Sequence, residues 1–513
     1  MNNLSKNSLF LEILNKAQRL MLFCSIVTLP FLHLPFNIPL VGGNLPYFFI
    51  YAGFLFFVIK QYLYPQIYTE FEKKVFLFLI GIFLWNLIST VVGVWNYQYY
   101  NIVDLLQMDK FKNAYEVLSL SQYNISELTA IKFWLSIRAV RTSFFDILNT
   151  YGITAWICVL YFGHEKELLS DIRNGVIVLV ICMSLYSLFE IGYLLGNRSC
   201  EKLLSTINSI YIKTADTHGW WPPLLWKGQL RSLFLEPSFL GIHAAFFFPI
   251  LIDKILHKVS CKNFILLNAL ILLILLTKAR TATLLFIGEI GLSCLVIPFV
   301  LGREGVRKLF LIILSTITMF CISLALISNF TSKTFSNNEV MEVSDYIEEN
   351  VMSISGNKRS NSARYGNVRA TFRTGIQHPL FGVGKGMQAA YIRNNFTKDE
   401  QTVGEIRLWI KTMEKKGPFK AGFPMLNGFA DQIAQTGLIG LALFLTPIIW
   451  ILVKIIKNPF LLFNSDFVCL FIAYIGIIMA MFSNVAFIPY YLLTSILLNL
   501  LHVKKGDKCN AIN

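Results

Sequence analysis

The segment RSLFLEPSFLG, residues 231–241, places a cation and a carboxylate at the expected start of a helix. Pro237 suits the first turn of a helix, where its missing N–H leaves no hydrogen bond unmade. Glu236 then lies at the helix N-terminus, where the macrodipole favours negative charge, and Arg231 lies just outside it. The spacing alone favours a capped helix with an interfacial salt bridge, and it is also compatible with a catalytic acid–base site.

A further cation, Arg280, lies in the tight turn Lys-Ala-Arg-Thr between two apolar runs. Arginine is costly near lipid unless it snorkels to the interface or pairs with an anion. Arg280 is therefore either an interfacial anchor or an anion ligand, since a guanidinium binds phosphate in a bidentate manner.

The segment 362–376 predicts a short amphipathic helix with cations along its edges. An apolar stripe recurs at helical spacing and consists of Tyr365, Val368, Phe372 and Ile376. Arg364 lies on one side of the stripe, and Arg369 and Arg373 lie on the other. This pattern is typical of a helix on the bilayer surface, where its arginines adhere to the membrane or bind an anionic ligand.

The same segment runs into His378, Pro379 and a glycine-rich stretch, residues 382–386. A nucleotide site is not indicated, because no strand clearly precedes the glycines and no Walker motif occurs in the chain. We expect a turn that lets the backbone approach a ligand or another helix. His378 could be an acid or base near neutral pH, or a satisfied turn residue. Asn427 could cap a later helix or contact a ligand.

The elements that position these residues are apolar helices. Of 513 residues, 55% are hydrophobic and only 15% are charged, which excludes a disordered chain, a fibrous repeat and an ordinary soluble domain. The cysteines show no disulfide or metal spacing. We predict an all-α, polytopic helical membrane protein with about twelve spans. These lie near 20–36, 45–59, 75–95, 143–162, 175–196, 236–252, 263–277, 282–301, 309–328, 433–453, 466–482 and 486–501.

The distribution of charge predicts the topology. The net charge is +15, and alternate short loops carry most of the lysines and arginines, so both termini are predicted to be cytoplasmic. This explains the basic character without nucleic acid, and it leaves Arg280 on the outer side as an exception. Three outer segments are long: 96–142, 197–235 and 329–432. We divide the chain into 1–328, the large outer loop 329–432 with short helices, and 433–513.

The ordered set of motifs resembles the bacterial O-antigen polymerase and ligase family. The resemblance rests on RSLFLEPSFLG, on KART and on SARYGNVRATFRTGIQHPLFGVGKG with LNGFADQIAQTGLIG. Polymerases of this family carry arginine, ten residues and glycine in two outer loops. Arg364 to Gly375 has this spacing, and Arg231 to Gly241 is one residue short. Leu426 stands where the ligases usually have histidine, which favours polymerase.

The resemblance implies glycosyl transfer on the outer leaflet of the bacterial cytoplasmic membrane, from an undecaprenyl-diphosphate-linked glycan to a lipid-linked repeat unit. It implies Glu236, or else His378, as the base. The implied ligands of the diphosphate or the substrate are Arg231, Arg280, Arg364, Arg369, Arg373 and Asn427.

No cofactor is expected, and the lack of an acidic cluster outside predicts metal-independent transfer. The expected partners are lipid-linked oligosaccharides, membrane lipids and a chain-length regulator. Two alternatives are an O-antigen ligase and a flippase, although a flippase should have short loops and internal symmetry, neither of which the sequence shows.

Overall fold

The computed structural model describes residues 2–102, 111–112, 115–116, 125–162, 164–212, 228–334 and 359–502. These residues fold into α-helices joined by turns and loops, with two short 3₁₀ helices. They contain no β-strand, and Ile38 and Gly42 form an isolated bridge. The predicted all-α fold is therefore confirmed.

We number the α-helices in chain order. They are α1 (Asn2–Val27), α2 (Leu45–Leu63), α3 (Glu70–Trp95), α4 (Glu127–Asn149), α5 (Tyr151–Leu160), α6 (Glu165–Leu194), α7 (Arg198–Tyr211), α8 (Pro237–His257), α9 (Cys261–Leu276), α10 (Arg280–Thr334), α11 (Arg359–Gln377), α12 (Gln388–Asn394), α13 (Lys398–Thr402), α14 (Gly404–Lys416), α15 (Gly428–Lys457), α16 (Ser465–Ala480) and α17 (Ile488–Leu500). The 3₁₀ helices are Tyr100–Ile102 and Pro459–Phe463.

Six of the described helices are long and apolar enough to cross a membrane: α2, α3, α6, α8, α10 and α15. The number becomes seven if α4 and α5, which meet at 42°, form one bent span. Shorter apolar helices are α9, α16 and α17. The protein is an integral membrane protein with several spans. The number twelve stays a prediction, and it counts α10 twice, on either side of a break at Gly302 (φ 56°).

The first predicted span, 20–36, differs from the helix that forms. Helix α1 starts at Asn2 and ends at Val27, and residues 28–44 form a loop. Pro30 and Pro35 explain the early end, because proline donates no hydrogen bond and biases the preceding residue away from helix. An apolar run therefore continues past the end of its helix.

Residues predicted to share the cytoplasmic side meet at one end of the bundle. The Arg19 Nε donates to Asp171 Oδ2 at 2.7 Å, which joins α1 to α6. Lys308 Nζ donates to the Leu256 carbonyl at 2.6 Å, which joins α10 to α8. These contacts support the predicted grouping of loops, and the compartment that this end faces stays a prediction.

Helix α8 is the core of the bundle and is buried on all sides over most of its length. It packs against α10 and α16, and α9 covers part of its remaining surface. A Cβ atom at Gly241 would lie 2.2 Å from the Ala282 Cβ, so glycine lets α8 and α10 nearly touch there. Both helices begin at this end of the bundle, and their N-termini therefore lie side by side.

Helix α15 is broken at Gly437, where the backbone has φ 70° and ψ −170°. The break frees carbonyls, and the glycine-rich stretch satisfies them: Val383 N donates to Ala434 O at 2.8 Å, and Gly384 N donates to Gln435 O at 2.9 Å. Leu438 N donates in turn to Pro379 O at 2.7 Å. Irregular backbone inside a membrane protein is tolerated where such partners exist.

Helix α3 completes this junction. Trp85 Nε1 donates to Thr436 O at 2.9 Å, and Ser89 Oγ donates to Gln435 O at 2.9 Å and to Phe381 O at 2.6 Å. Residues 379–386 are thereby clamped between α3 and α15. The glycine-rich stretch is therefore a helix-packing element, in agreement with one of the two expectations from its sequence.

Helices α11 to α14 form the described part of the large loop, which confirms the expected short helices. One face of α11 is buried, and Asn367 Nδ2 donates to Pro424 O at 2.6 Å. A Cβ atom at Gly375 would lie 2.7 Å from Ile433 Cγ2, so the C-terminal part of α11 packs closely on α15. The acidic part of this loop, near residues 339–349, lies outside the described residues.

We predict that Gly437→Ala lowers the midpoint of thermal unfolding in detergent. A Cβ atom there would lie 2.2 Å from Leu380 O, and a positive φ costs a non-glycine residue roughly 1–2 kcal/mol. Gly81→Ala in α3 is the control, because a Cβ there meets nothing within 4 Å and alanine favours helix. Equal melting of both variants would contradict the role of the break.

Candidate functional site

The segment 228–236 leads into α8 and is fixed by buried polar groups. Leu230 N donates to Leu276 O at 3.0 Å, which ties the segment to the end of α9. Ser232 has φ 54° and is fully buried. Its N–H donates to Glu190 Oε2 at 2.7 Å, and its hydroxyl donates to Met183 O at 3.0 Å. Helix α6 therefore holds this strained turn in place.

Arg231 is part of this anchor. Its side chain is only 2% exposed; Nη1 donates to Phe234 O at 2.8 Å, and Nε lies 3.8 Å from Glu190 Oε1. The salt bridge expected near Glu236 is therefore made with Glu190 instead. A paired, buried guanidinium in this position supports the segment that carries Glu236. Glu190 is noticeable in the sequence as a charge within a span, yet nothing there indicates its partner, 41 positions away.

Glu236 occupies the N-cap position of α8 with extended backbone, φ −129° and ψ 150°. Its carboxylate does not cap the first turn, and Ser238 Oγ donates to Oε2 at 3.1 Å. The side chain is half-buried. A carboxylate with remaining lone pairs at this position can accept a proton or a further hydrogen bond.

Arg280 begins α10 and reaches across to α11. Its Nη1 donates to Asn361 Oδ1 at 3.0 Å. The turn before it is tight: Lys278 has φ 50°, and Ala279 N donates to Thr277 Oγ1 at 3.1 Å. Asn361 has no signal in the sequence that marks it as a partner of Arg280, because the two are 81 positions apart.

Arg364 lies three residues after Asn361, so both side chains lie on neighbouring positions of one helix surface. Its side chain is exposed and has no hydrogen-bond or ion-pair partner among the described residues. The Arg280–Asn361 bond therefore brings two arginines to the same end of α11, one of them open to a ligand.

Arg369 and Arg373 have a different arrangement, although they are on the same helix. Arg373 Nη1 donates to Glu400 Oε2 at 2.8 Å, and Arg369 Nε lies 3.1 Å from Glu400 Oε1. Burial would raise the pKa of Glu400, but hydrogen bonds from Arg373 and the Thr397 N–H, together with the charges of Arg373 and Arg369, outweigh it and lower the pKa. This carboxylate therefore stays charged and fastens α11 to α13.

His378 lies just beyond the other end of α11. Its ring packs edge-on against Tyr391 with centroids 4.9 Å apart, and burial lowers its pKa, so it is neutral at pH 7. Fourteen residues separate it from Arg364, which on a helix is roughly 21 Å at 1.5 Å per residue. The structure thus does not bring His378 and Arg364 together.

Asn427 caps α15. Its Oδ1 accepts from Phe429 N at 3.1 Å and from Ala430 N at 2.9 Å, and its Nδ2 donates to Phe482 O at 3.1 Å. The cap was one of the two interpretations that the sequence allowed.

The structure thus groups some of the predicted site residues and separates others. Glu236 lies five residues before Gly241, and Arg280 lies two residues before Ala282, so the Gly241–Ala282 contact places both at one edge of the bundle. We call this group the mouth; it comprises Glu236, Lys278, Arg280, Asn361 and Arg364. It combines a carboxylate, three cations and the N-termini of α8 and α10, and it is suited to binding an anion.

One group of potential metal ligands lies far from the mouth. Asp253, His257 and Asp466 place ligand atoms within 4.8 Å of one another. The guanidinium of Arg173 pairs with both carboxylates. Asp253 follows Glu236 by 17 residues on α8, which is roughly 25 Å. This cluster joins α6, α8 and α16 at the opposite end of the bundle.

We predict that Arg231→Ala and Arg364→Ala differ in stability. Removal of Arg231 leaves the buried carboxylate of Glu190 without its ion pair, which typically costs about 3–5 kcal/mol, and should lower the yield and melting temperature of the folded protein. Arg364→Ala should leave both unchanged, because its side chain is exposed. Equal melting temperatures for the two variants would refute the assignment of Arg231 as an anchor.

Residues 265–445 match the family described as O-antigen ligase. No curated protein matches the chain. The matched region runs from α9 past the break in α15, so it contains Arg280 and Arg364 but neither Arg231 nor Glu236. The resemblance to the bacterial O-antigen polymerase and ligase family, predicted from the motifs, is thereby confirmed over this region.

Proposed function

We propose that the protein is a polysaccharide polymerase of this family. It would transfer a glycan chain from an undecaprenyl-diphosphate donor to a lipid-linked repeat unit, on the outer face of the bacterial cytoplasmic membrane. Function of the O-antigen ligase or polymerase type in general is supported by the family match. The hydrogen bond from Arg280 to Asn361, which assembles the mouth beside Arg364, is the observation on which the assignment of the site depends.

The cations of the mouth suit the leaving group. When the bond between the anomeric carbon and the donor phosphate breaks, the lipid diphosphate leaves with the electron pair and gains negative charge. Arg364 is exposed and available to it, and Arg280 is held next to it through Asn361. Fixed cations aimed at a developing charge stabilise the transition state more than the ground state.

Glu236 is the first candidate for the base. The acceptor hydroxyl oxygen forms the new bond to the anomeric carbon, and its proton passes to a carboxylate oxygen of Glu236. His378, the second candidate, is neutral and chemically able to accept a proton. Its separation of roughly 21 Å from Arg364 along α11 argues against action on the same glycosidic centre.

Polymerase is favoured over ligase by one residue. Leu426 precedes the helix cap Asn427 at the position where ligases of the family usually carry histidine. An aliphatic side chain cannot exchange a proton there. A ligase acting on a different acceptor is the alternative within the family, and both would use the same lipid-diphosphate donor.

The direct test is incubation of the purified protein with synthetic undecaprenyl-diphosphate repeat units in nanodiscs. We expect a ladder of lengthening glycans that persists in EDTA, because no step proposed for the mouth uses a metal. Transfer of single units to another acceptor without a ladder would identify a ligase. Absence of any transfer would refute the proposal.

Arg364→Ala should reduce kcat/KM for chain growth by at least about a hundredfold, as the loss of one oriented charge contact to a transition state typically does. Arg407→Ala on α14, an exposed arginine outside the mouth, is the matched control and should retain full activity. A normal ladder from Arg364→Ala would remove this residue from the diphosphate site.

Glu236→Gln tests the base separately from charge recognition. We expect a fall in kcat of about 10²–10⁴-fold with a small change in KM, and loss of the acidic limb of the pH–rate profile. Ser238→Ala, which removes only the hydroxyl that donates to Glu236, should retain that limb. An unaltered profile in Glu236→Gln would exclude it as the base.

A further inference from the structure

An apolar face of α11 is exposed at the surface of the described structure, although this helix packs firmly on its other side. Tyr365, Phe372 and Ile376 are 56%, 48% and 57% exposed. The opposite face is buried against α13, α14 and α15, with Ala363 and Ala370 fully covered. The exposed stripe is therefore not needed to hold α11 in the fold.

The stripe starts at the mouth. Asn361 precedes Tyr365 by four residues and hence lies on the same face of the helix, directly before the first residue of the stripe. Because Asn361 accepts the hydrogen bond from Arg280, the cations of the mouth lie beside the helical turn at which this apolar face begins. Exposed Arg364 flanks it at the same level.

The stripe ends at a candidate membrane span. Leu438 N donates to Pro379 O at 2.7 Å, so Leu380, 61% exposed, adjoins Leu438 of α15, which is also exposed. Ile439, the next residue of α15, is also exposed. An exposed apolar path thus runs from the side of α15, over Leu380 and along α11, to the arginines. From Tyr365 to Ile376 alone, it is roughly 16 Å long.

We propose that this path, which we call the α11 track, binds the polyisoprenoid tail of the donor while the mouth holds its diphosphate. The inference rests on the proposed function, since it takes the lipid diphosphate as the ligand. A ligand with a dianionic head and a long apolar chain matches the order of the surface: cations at one end, continuous hydrocarbon contact along α11, and a membrane span at the other. The donor would therefore enter sideways from the bilayer at α15.

The position of the cations indicates which lipid binds to the α11 track. Bulk phospholipid would cover an apolar stripe at any place along a helix, and it would not require arginines to be assembled at one end by a contact 81 positions apart in sequence. Arg369 and Arg373, the other cations of α11, are already bound to Glu400. The charge along the helix is thus concentrated at the start of the track.

The test is site-specific photocapture with benzoylphenylalanine in place of Phe372 or Ile376, in nanodiscs. The probe is radiolabelled undecaprenyl diphosphate without sugar. Leu408 on α14, 55% exposed, and Ile449 on α15, 53% exposed, are control positions off the track. We expect at least about tenfold more capture on the track, which corresponds to roughly 1.4 kcal/mol of preferential binding. Unlabelled undecaprenyl diphosphate should compete, and excess phosphatidylglycerol should not.

Equal capture at all four positions, or competition by phosphatidylglycerol, would overturn the proposal and identify the stripe as a bilayer contact. Because this probe carries no sugar, capture is measured whether or not the protein transfers glycan. Capture on the track without a ladder would refute the proposed function alone. A ladder without preferential capture would refute the track alone.

A kinetic variant gives an independent measurement. Phe372→Ser should fold, since the side chain is half exposed, and should lower kcat/KM for an undecaprenyl donor about tenfold through loss of apolar contact. With a geranyl-diphosphate donor too short to follow the track, the same variant should match the wild type. An equal loss with both donors would show a general structural effect and contradict the track.

Discussion

The structure depends on the hydrogen bonds that other segments make to the backbone of α15 where this helix is broken. At Gly437 the regular hydrogen bonds within the helix are interrupted. Inside a membrane protein, each backbone polar group left without a partner destabilises the fold by several kcal/mol. Residues 379–384 supply N–H donors to two of the carbonyls, and Trp85 and Ser89 of α3 supply further donors. The break and the glycine-rich stretch therefore support each other, because each supplies hydrogen-bond partners for the backbone of the other.

This junction fixes one end of α11, and the rest of the helix is fixed by different means. Gly375 packs on α15, Asn367 bonds to the Pro424 carbonyl, and Asn361 accepts from Arg280. Arginines that look equivalent in the sequence thus serve different purposes. Arg369 and Arg373 hold α11 to Glu400, whereas Arg364 is exposed at the mouth. A rigid helix with one open cation is a suitable support for recognition of an anion.

Sequence patterns predict the structural features that depend on residues close together in the chain. The apolar runs predict the helices, Pro237 predicts where α8 begins, and the stripe on 362–376 predicts an amphipathic helix. Contacts between distant positions are not encoded in this way. Arg231 pairs with Glu190 rather than Glu236 because the turn at Ser232 directs it towards α6. The break at Gly437 likewise follows from contacts with residues 379–384, which are distant in the sequence.

The position of Glu236 at the same edge of the bundle as the cations would give the mouth a charge balance that changes during the proposed reaction. Before transfer, the carboxylate of Glu236 would partly offset the positive charge of Arg280 and Arg364. If Glu236 accepts the proton of the acceptor hydroxyl as proposed, its carboxylate would become neutral while the departing diphosphate gains negative charge. The attraction between the cations and the leaving group would therefore rise as the glycosidic bond breaks. One proton transfer would serve both the nucleophile and the leaving group, which is the differential stabilisation that catalysis requires.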